Sequence, residues 1–322
     1  MINTDLQINE QLATDKICSY LVDLVKLKNV DGILLGLSGG IDSALLSTLA
    51  VKALGSKAVH VSYLFDRDSE LASQRKAKLM SDWLGIQFDV IDITPEMHKK
   101  GVYKPFMVRL IHYSQTINRM IQYPYSLTFS ETPFKSSLRV GMNEFNVSKF
   151  QQFMYNRGVR RIINGFDKRH IYRKEFLSDY ARKNNYFLLG AANLSEYRIG
   201  WFVKDGIDDL PIQPLTGLYK TQVFQLAKFL ELPDVIQNQV PSPDMMKGFT
   251  DEMGMGHKYG LVDIVMDYID QELSDEEIVA RGIDISELND IRDLMRLSAW
   301  KRESAHEKPP ADGRYGGDIR IG

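Results

Sequence analysis

One segment constrains the fold of this chain more than any other: Gly36-Leu37-Ser38-Gly39-Gly40-Ile41-Asp42-Ser43. It follows an apolar run at residues 32–35 and precedes a helical pattern at residues 44–54. A strand, a tight Ser/Gly turn and a helix start predict an anion-binding loop, because glycines let backbone N–H groups approach a phosphate and the helix N-terminus favours negative charge. Ser38 and Ser43 add hydroxyl donors, and the Asp42 carboxylate can hold Mg²⁺.

This loop differs from the Walker A phosphate loop, which requires a Gly-Lys-Ser/Thr sequence. Here Ile41 follows Gly40. The order Ser-Gly-Gly-Ile-Asp-Ser resembles the loop of the ATP pyrophosphatase (PP-loop) superfamily. That resemblance implies that the loop binds the β- and γ-phosphates of ATP while the α-phosphate is attacked. The implied products are AMP and pyrophosphate.

Composition bounds the class of protein. The chain has 322 residues, of which 44% are hydrophobic and 25% charged, and this is ordinary for a globular protein of one large or two modest domains. No apolar run approaches the roughly 18 residues that a spanning helix needs. The polar N-terminal residues show no signal pattern, so we expect a cytoplasmic protein. Cys18 is the only cysteine, which excludes an internal disulfide and a Cys-rich zinc site.

The net charge of −2 conceals a strong asymmetry. Residues 99–183 contain 17 Lys and Arg against 5 Asp and Glu, whereas residues 205–293 contain 6 against 19. A basic central segment suits an anionic substrate or a nucleic acid. Solvated helix faces that balance across the fold or a dimer explain the asymmetry equally well.

Strand and helix patterns alternate in the N-terminal part. Strands are predicted at 32–35, 58–65, 88–93 and 186–190, with helices at 6–27, 44–54 and 69–84. This alternation predicts an α/β fold with a doubly wound parallel sheet. The resemblance to the PP-loop superfamily implies that the sheet is of the adenine nucleotide alpha-hydrolase-like kind. Such sheets bind ligands at the carboxyl ends of their strands, where the Gly36–Ser43 loop falls.

Residues 99–146 interrupt the alternation. They are basic, aromatic and punctuated by three prolines, and they read as an insertion that is partly helical near 107–121. Further helices are predicted at 150–163, 171–184, 195–201 and 219–230, a loop at 233–252, and helices at 258–272, 275–281 and 285–300. We therefore expect one domain over residues 1–322, with a helical C-terminal part.

Five more blocks follow in a fixed order: Gly190–Glu196, Phe202 with Lys204, Pro214–Val223, Pro241–Asp244 and Gly248–Glu252, with Lys301-Arg302 after the last helix. Together with the loop they resemble the ammonia-dependent, single-domain type of the NAD synthase family. The resemblance spans about residues 20–95 and 165–305.

The resemblance implies specific roles. Residues Gly36 to Ser43, Lys220 and Ser242 would bind ATP, with Asp42, Lys220 and Ser242 serving catalysis. Asp42 and Glu196 would hold Mg²⁺. Arg169, Arg173, Lys204 and Lys301 would face the acid substrate. The loop from Pro241 to Glu252 would close over the reaction.

Departures from the family pattern fall mainly at the dinucleotide end. Pro211 stands where the family has an Asp, and Ile171 where spacing places an Arg, so that either Arg169 or Arg173 would substitute. Ala191 replaces a Thr that contacts ATP, and Trp300 replaces a His. Either the basic insertion supplies new contacts to deamido-NAD, or the acid is a different one.

The sequence thus predicts an ATP-dependent carbon–nitrogen ligase that amidates a carboxylate through an acyl-adenylate. Deamido-NAD is the leading substrate, and a sugar acid or a biosynthetic intermediate is the alternative. The expected cofactors are ATP and Mg²⁺, and the expected partners are free or partner-supplied ammonia and a second copy in a homodimer. A rival prediction, an RNA-modifying PP-loop ATPase, rests on the basic segment and its aromatic residues, which could stack on bases: Tyr103, Phe106, Tyr113, Tyr123, Tyr125 and Phe129. PP-loop enzymes that thiolate RNA need catalytic cysteines, which are missing here. We therefore expect neither a nucleic acid nor a membrane as a partner.

Overall fold

The computed structural model describes residues 6–106, 108–109, 125–244, 248–304 and 306–321. Its centre is a parallel four-stranded sheet in the order β3-β2-β1-β4. The strands are β1 (Gly32–Gly36), β2 (Val59–Phe65), β3 (Gln87–Asp92) and β4 (Tyr186–Leu189). The chain builds outward from β1 to β3 and then returns to place β4 on the other side of β1. This reversal confirms the predicted doubly wound sheet and creates a binding crevice between β1 and β4.

Helices whose bounds are described surround this sheet. The N-terminal ones are α1 (Glu10–Lys28), α2 (Ile41–Leu54), α3 (Leu71–Leu84) and α4 (Thr94–Lys99). The central ones are α5 (Pro133–Gly141), α6 (Lys149–Met154), α7 (Arg160–Lys183) and α8 (Leu194–Ile199). The last ones are α9 (Lys220–Phe229), α10 (Asp234–Gln237), α11 (Asp251–Met255), α12 (Tyr259–Asp270), α13 (Asp275–Ala280) and α14 (Ile285–Leu297).

The sheet is covered on both faces. Side chains of α1, α2 and α9 form one apolar core with Ile33, Leu35 and Val61. On the opposite face, α7 packs Leu177 against Leu34 and neighbouring strand residues. Burial of both faces explains why β1 and β2 read as nearly continuous apolar runs.

A second apolar core lies in the helical C-terminal part. Side chains of α8, α12, α13 and α14 surround the buried Tyr219, which directly precedes α9. The chain from Tyr219 through α9 therefore contributes to both cores and links the sheet to the C-terminal helices. Among the described residues, no helix combines the length and the apolar character that crossing a membrane requires.

The predicted elements differ from the observed ones mainly at their ends. Helix α1 begins at Glu10 because the Asn9 side chain caps it, accepting a hydrogen bond from Leu12 N at 2.9 Å. The two helices predicted at 150–163 and 171–184 are one nearly continuous stretch, in which a π-turn (Tyr155–Val159) joins α6 to α7. The predicted 233–252 loop contains the short helix α10, and the short helix α11 begins at its end. The helix predicted near 107–121 lies largely outside the described residues, and so do Tyr113 and Tyr123.

Candidate active site

A cavity of about 400 Å³ opens at the carboxyl ends of β1, β2 and β4. Every residue from Gly36 to Ser43 lines it, as do Glu196, Lys220 and Ser242. The fold thus brings together the residues that the sequence assigned to ATP.

The Gly36–Ser43 loop is held in shape by its own side chains. Ser38 N donates to Ser43 Oγ at 3.2 Å, and Gly40 N donates to Ser38 Oγ at 3.2 Å. Gly39 has φ +80°, and a Cβ there would lie 2.3 Å from Ser73 O, so only glycine fits. Helix α2 begins without a side-chain cap, which leaves its first N–H groups free for an anionic ligand.

Beside the loop, one lysine joins two carboxylates. Lys220 Nζ lies 2.5 Å from Asp42 Oδ2 and 3.0 Å from Glu196 Oε1. Burial opposes the charge on Lys220, but Asp42 and Glu196 outweigh it and raise the pKa of Lys220, which keeps the ammonium protonated. Burial raises the pKa of Glu196 to about 8, against the attraction of Lys220.

A third carboxylate reaches this cluster through a tyrosine. The Tyr259 hydroxyl lies 3.1 Å from Glu196 Oε1 and 3.1 Å from Asp251 Oδ2. Burial raises the pKa of Asp251, with Lys220 opposing. The carboxyl groups of Asp42, Glu196 and the buried Asp251 thus lie close to one lysine, and the raised pKa values of Glu196 and Asp251 mean that a bound cation would favour their ionised forms.

A buried hydrogen-bond network positions the two helices that carry Glu196 and Lys220. Ser195 Oγ donates to Asp263 Oδ1 at 2.5 Å and accepts from Lys220 N at 2.8 Å. Thr221 N donates to Asp263 Oδ2 at 2.8 Å. Burial raises the pKa of Asp263 to about 6, although the hydrogen bonds from Ser195 and Thr221 oppose it.

The segment that carries Ser242 is fastened to the opposite rim of the cavity. Asp244 accepts hydrogen bonds from Tyr63 Oη at 2.9 Å and from Glu70 N at 3.0 Å. Gly248 N donates to Glu70 Oε1 at 2.9 Å. The described part of the predicted lid loop is therefore bound to β2 and to the N-cap residue of α3, with Ser242 lining the cavity.

Of the four cations assigned to the acid substrate, two line the cavity and two do not. Arg173 lines it, and its buried Nε has no hydrogen-bond partner among the described residues. Lys301 also lines it, and burial lowers the pKa of Lys301 to about 8 against the attraction of nearby carboxylates.

The other two cations are engaged elsewhere. Arg169 is buried in an ion-pair cluster with Asp66 and with Asp68, whose Oδ2 lies 2.6 Å from Arg169 Nη2. Lys204 Nζ donates to Trp300 O at 2.8 Å and pairs with Glu303 at 3.3 Å. In this structure both side chains bind the protein itself, so the direct substrate contacts expected of them are not seen.

The chemistry of the cluster fits a divalent cation. Asp42 and Glu196 offer carboxylate oxygens, the ligands that Mg²⁺ prefers. In the described part of the chain, no group of three or more His, Cys, Asp or Glu side chains is arranged to hold a metal. Two carboxylates that leave the remaining positions to phosphate and water match the usual way in which proteins bind Mg²⁺ with nucleotides.

Sequence reasoning missed several residues at the site. Tyr259, Asp263 and Trp201 lie in patterns that read as ordinary helix or loop, and nothing in their spacing signalled a site. Asp251 stood within the Gly248–Glu252 block without an assigned role. Their contribution depends on tertiary contacts that local patterns do not encode.

The sequence of this chain is similar to known proteins. A sequence model of the family described as NAD synthase matches residues 13–109 and 135–305. The NH(3)-dependent NAD(+) synthetase of Thermotoga maritima is 32% identical over 268 residues, which cover 82% of this chain and 89% of the relative. The enzyme of the same name from Methanosarcina acetivorans is 27% identical over 305 residues, with 94% and 98% covered.

Solved structures share the fold. The NMN synthetase of Francisella tularensis superimposes with a TM-score of 0.65 at 23% identity, covering 94% of this chain and 99% of the other. The NH3-dependent NAD synthetase of Campylobacter jejuni gives a TM-score of 0.60 at 20% identity, covering 94% and 100%. At these identities the likeness concerns the architecture.

Proposed function

Because this chain belongs to the NAD synthase family, we propose that it amidates deamido-NAD with ammonia, at the expense of ATP, to give NAD. The observation that carries the proposal is the convergence of the Gly36–Ser43 loop, Asp42, Glu196 and Lys220 on one cavity. The loop lacks the Walker lysine, which supports cleavage between the α- and β-phosphates.

In the first step, a carboxylate oxygen of the substrate attacks the α-phosphorus of ATP. The P–O bond to the β-phosphate breaks, leaving an acyl-adenylate and pyrophosphate. Backbone N–H groups at the start of α2, together with Ser38 and Ser43, bind the departing phosphates. Lys220, whose ammonium already bridges two carboxylates, and Ser242 stabilise the charge on the phosphate oxygens.

In the second step, ammonia attacks the acyl carbon. The bond to the AMP oxygen breaks, AMP leaves, and one proton from the nitrogen is released. No side-chain nucleophile takes part, so catalysis consists of positioning and charge stabilisation. Ammonia comes from solution or from a partner protein.

Asp42 and Glu196 would hold Mg²⁺. When bound, the ion neutralises phosphate charge. Asn193 supports this role, because its Nδ2 donates to Asp42 Oδ1 at 2.9 Å and fixes that carboxylate at the start of α2. Tyr259 fixes Glu196 in the same way.

The acid substrate is bound by Arg173 and Lys301 rather than by all four predicted cations. Both line the cavity, whereas Arg169 and Lys204 do not; Lys301 also donates to the carbonyl oxygens of Gly200 and Phe202. The RNA-modifying alternative loses support, because Tyr103 and Tyr125, two of its stacking candidates, are buried.

We further propose a cytoplasmic homodimer. The exposed apolar side chains Phe150, Phe153 and Met154 of α6 support an interface between copies. Light scattering after size exclusion measures the mass, and a monomer at micromolar concentration would contradict the dimer.

The test of the reaction is direct. The protein is incubated with ATP, Mg²⁺, ammonium and deamido-NAD, and the nucleotides are separated by chromatography. We expect NAD, AMP and pyrophosphate in equal amounts. ADP and phosphate as products would contradict the assignment, and AMP formation only with another carboxylic acid would replace deamido-NAD as the substrate.

A further inference from the structure

Beyond the phosphate loop, the cavity has an aromatic compartment formed by Phe134, Phe166, Trp201 and Phe249. The rings of Phe134 and Trp201 meet edge to face with centroids 4.7 Å apart, and the Trp201 and Phe249 centroids lie 6.4 Å apart. Phe249 is buried and packs with Phe166. We call these four side chains the ring compartment, because flat rings suit its walls.

The ring compartment adjoins the place where the chemistry occurs. Trp201 N donates to Glu196 O at 2.8 Å, so the compartment begins where α8 ends. Gly254 on α11 provides the space for the indole, since a Cβ there would lie 2.0 Å from Trp201 Cη2. The same helix carries Asp251, which faces Glu196 through Tyr259. A group bound in the compartment is therefore next to the Asp42–Glu196–Lys220 cluster.

Two further carboxylates that line the same cavity are not equally compensated. Asp208 Oδ2 lies 2.5 Å from His170 Nδ1. Asp167 also lines the cavity, yet within the described ranges its side chain has no hydrogen bond and no ion pair. Lys301 is nearby, but its Nζ donates to Gly200 O at 2.8 Å and to Phe202 O.

The environment of Asp167 disfavours an isolated negative charge. Burial raises its pKa, and the charges of Lys301 and His170 offset this only in part. A carboxylate that is partly buried, unpaired and turned toward a cavity with aromatic walls gains from a cationic ligand. Aromatic faces attract a cation as well.

Deamido-NAD carries such a cation next to its reacting carboxylate. The ring nitrogen is bonded to ribose, so the pyridinium ring is flat and permanently positive. We propose that Asp167 is a specificity-determining residue that recognises the positive charge of this ring in the ring compartment. The inference rests on the proposed function and adds that Asp167 recognises one property of the substrate, the positive charge of its ring.

The test compares deamido-NAD with its reduced form, whose dihydropyridine ring is uncharged while the carboxylate and both nucleotides are retained. Dissociation constants are measured by calorimetry for the wild type and for Asp167→Asn. We expect the wild type to bind the oxidised form at least tenfold more tightly than the reduced form. Asp167→Asn should lose roughly tenfold in affinity for the oxidised form alone, so the ratio approaches one.

Asp179→Asn is the matched control. Asp179 lies on the same helix, is exposed and pairs with Arg182, so both dissociation constants should equal those of the wild type. Asp167 has no partner to lose, and we expect Asp167→Asn to fold normally, as circular dichroism will show.

Other outcomes are distinguishable. If Asp167→Asn weakens the binding of the oxidised and the reduced form equally, Asp167 does not recognise the charge of the ring and the inference is wrong. A raised KM for ATP with unchanged binding of deamido-NAD would place Asp167 beside the adenine and would also overturn it. If the wild type does not convert deamido-NAD to NAD, the proposed function fails and the inference with it.

Discussion

Lys220 Nζ lies 2.5 Å from Asp42 Oδ2, although the two residues are 178 positions apart in the chain. Asp42 is at the start of α2 and Lys220 at the start of α9, so two helix N-termini point into one cavity. Both termini and the lysine favour anions, while the carboxylate favours a cation. This juxtaposition is suited to a phosphate–metal complex and guides the first two predictions.

Asp42→Asn should abolish most of the activity while leaving the fold intact. The amide keeps the shape of the carboxylate but loses the charge that pairs with Lys220 and would bind the metal. We expect pyrophosphate release to fall by roughly 10²–10³-fold or more. Pyrophosphate is measured enzymatically and folding by circular dichroism. A fall of less than threefold in a folded variant would remove Asp42 from the catalytic residues.

Glu196→Gln should raise the Mg²⁺ concentration that half-saturates the reaction by roughly tenfold or more. The amide cannot match the carboxylate in charge. A titration of Mg²⁺ at saturating ATP measures the effect, with the exposed Glu276→Gln as the control. Unchanged Mg²⁺ dependence would leave Glu196 as a structural residue of α8.

Arg169 and Arg173 should separate into a structural and a substrate-binding residue. Arg169→Met removes the guanidinium that pairs with Asp66 in the interior and that also pairs with Asp68, so the free energy of unfolding should fall by about 3–5 kcal/mol. Arg173→Met should change stability little but raise the KM for deamido-NAD. Urea unfolding and steady-state kinetics test both variants, and the opposite pattern would reverse the assignment.

Gly39→Ala should distort the phosphate loop. The added Cβ meets Ser73 O at 2.3 Å, and the positive φ disfavours any side chain. We expect ATP binding to weaken by at least tenfold in calorimetry. Gly260→Ala is the control, because a Cβ there meets nothing within 4 Å. Equal ATP affinity in the two variants would show that the loop tolerates rearrangement.

Asp263 should make the stability depend on pH. Its folded-state pKa, about 6, is above the ordinary value of 3.8, so the fold favours the protonated form. The stabilisation is present at low pH and is lost as the pH rises through 6. Between pH 5 and 7.5 the wild type should lose about 1.5 kcal/mol relative to Asp263→Asn. Urea unfolding at both pH values measures this difference. An equal change in the free energy of unfolding of the two proteins would contradict the raised pKa of Asp263.

Local patterns predicted the sheet and the phosphate loop well because both are encoded in short stretches. An apolar run, a Ser/Gly turn and a helix start suffice to define β1, the loop and α2. The parallel, doubly wound character of the sheet followed from the rules for parallel connections. The break predicted between residues 163 and 171 was wrong, because Gly165 is buried within α7 rather than ending a helix.

The acid end could not be predicted from the sequence in the same way. Whether an arginine binds substrate depends on which carboxylates the fold places beside it, and Arg169 meets two from the loop after β2. The ring compartment likewise joins residues from four distant segments. Contacts of this kind leave no period or spacing in the chain.

Helix α7 fixes the angular relation between these side chains. Asp167, Arg169 and Arg173 share a rigid rod, and each added or deleted residue would rotate everything beyond it by about 100°. Such a rotation would turn Arg169 away from its buried ion pair and Arg173 away from the cavity. The π-turn at Tyr155–Val159 lies just upstream, where a helix can absorb one extra residue. Insertions and deletions are therefore expected to accumulate before Arg160, where the π-turn absorbs them without rotating the site residues of α7 about the helix axis.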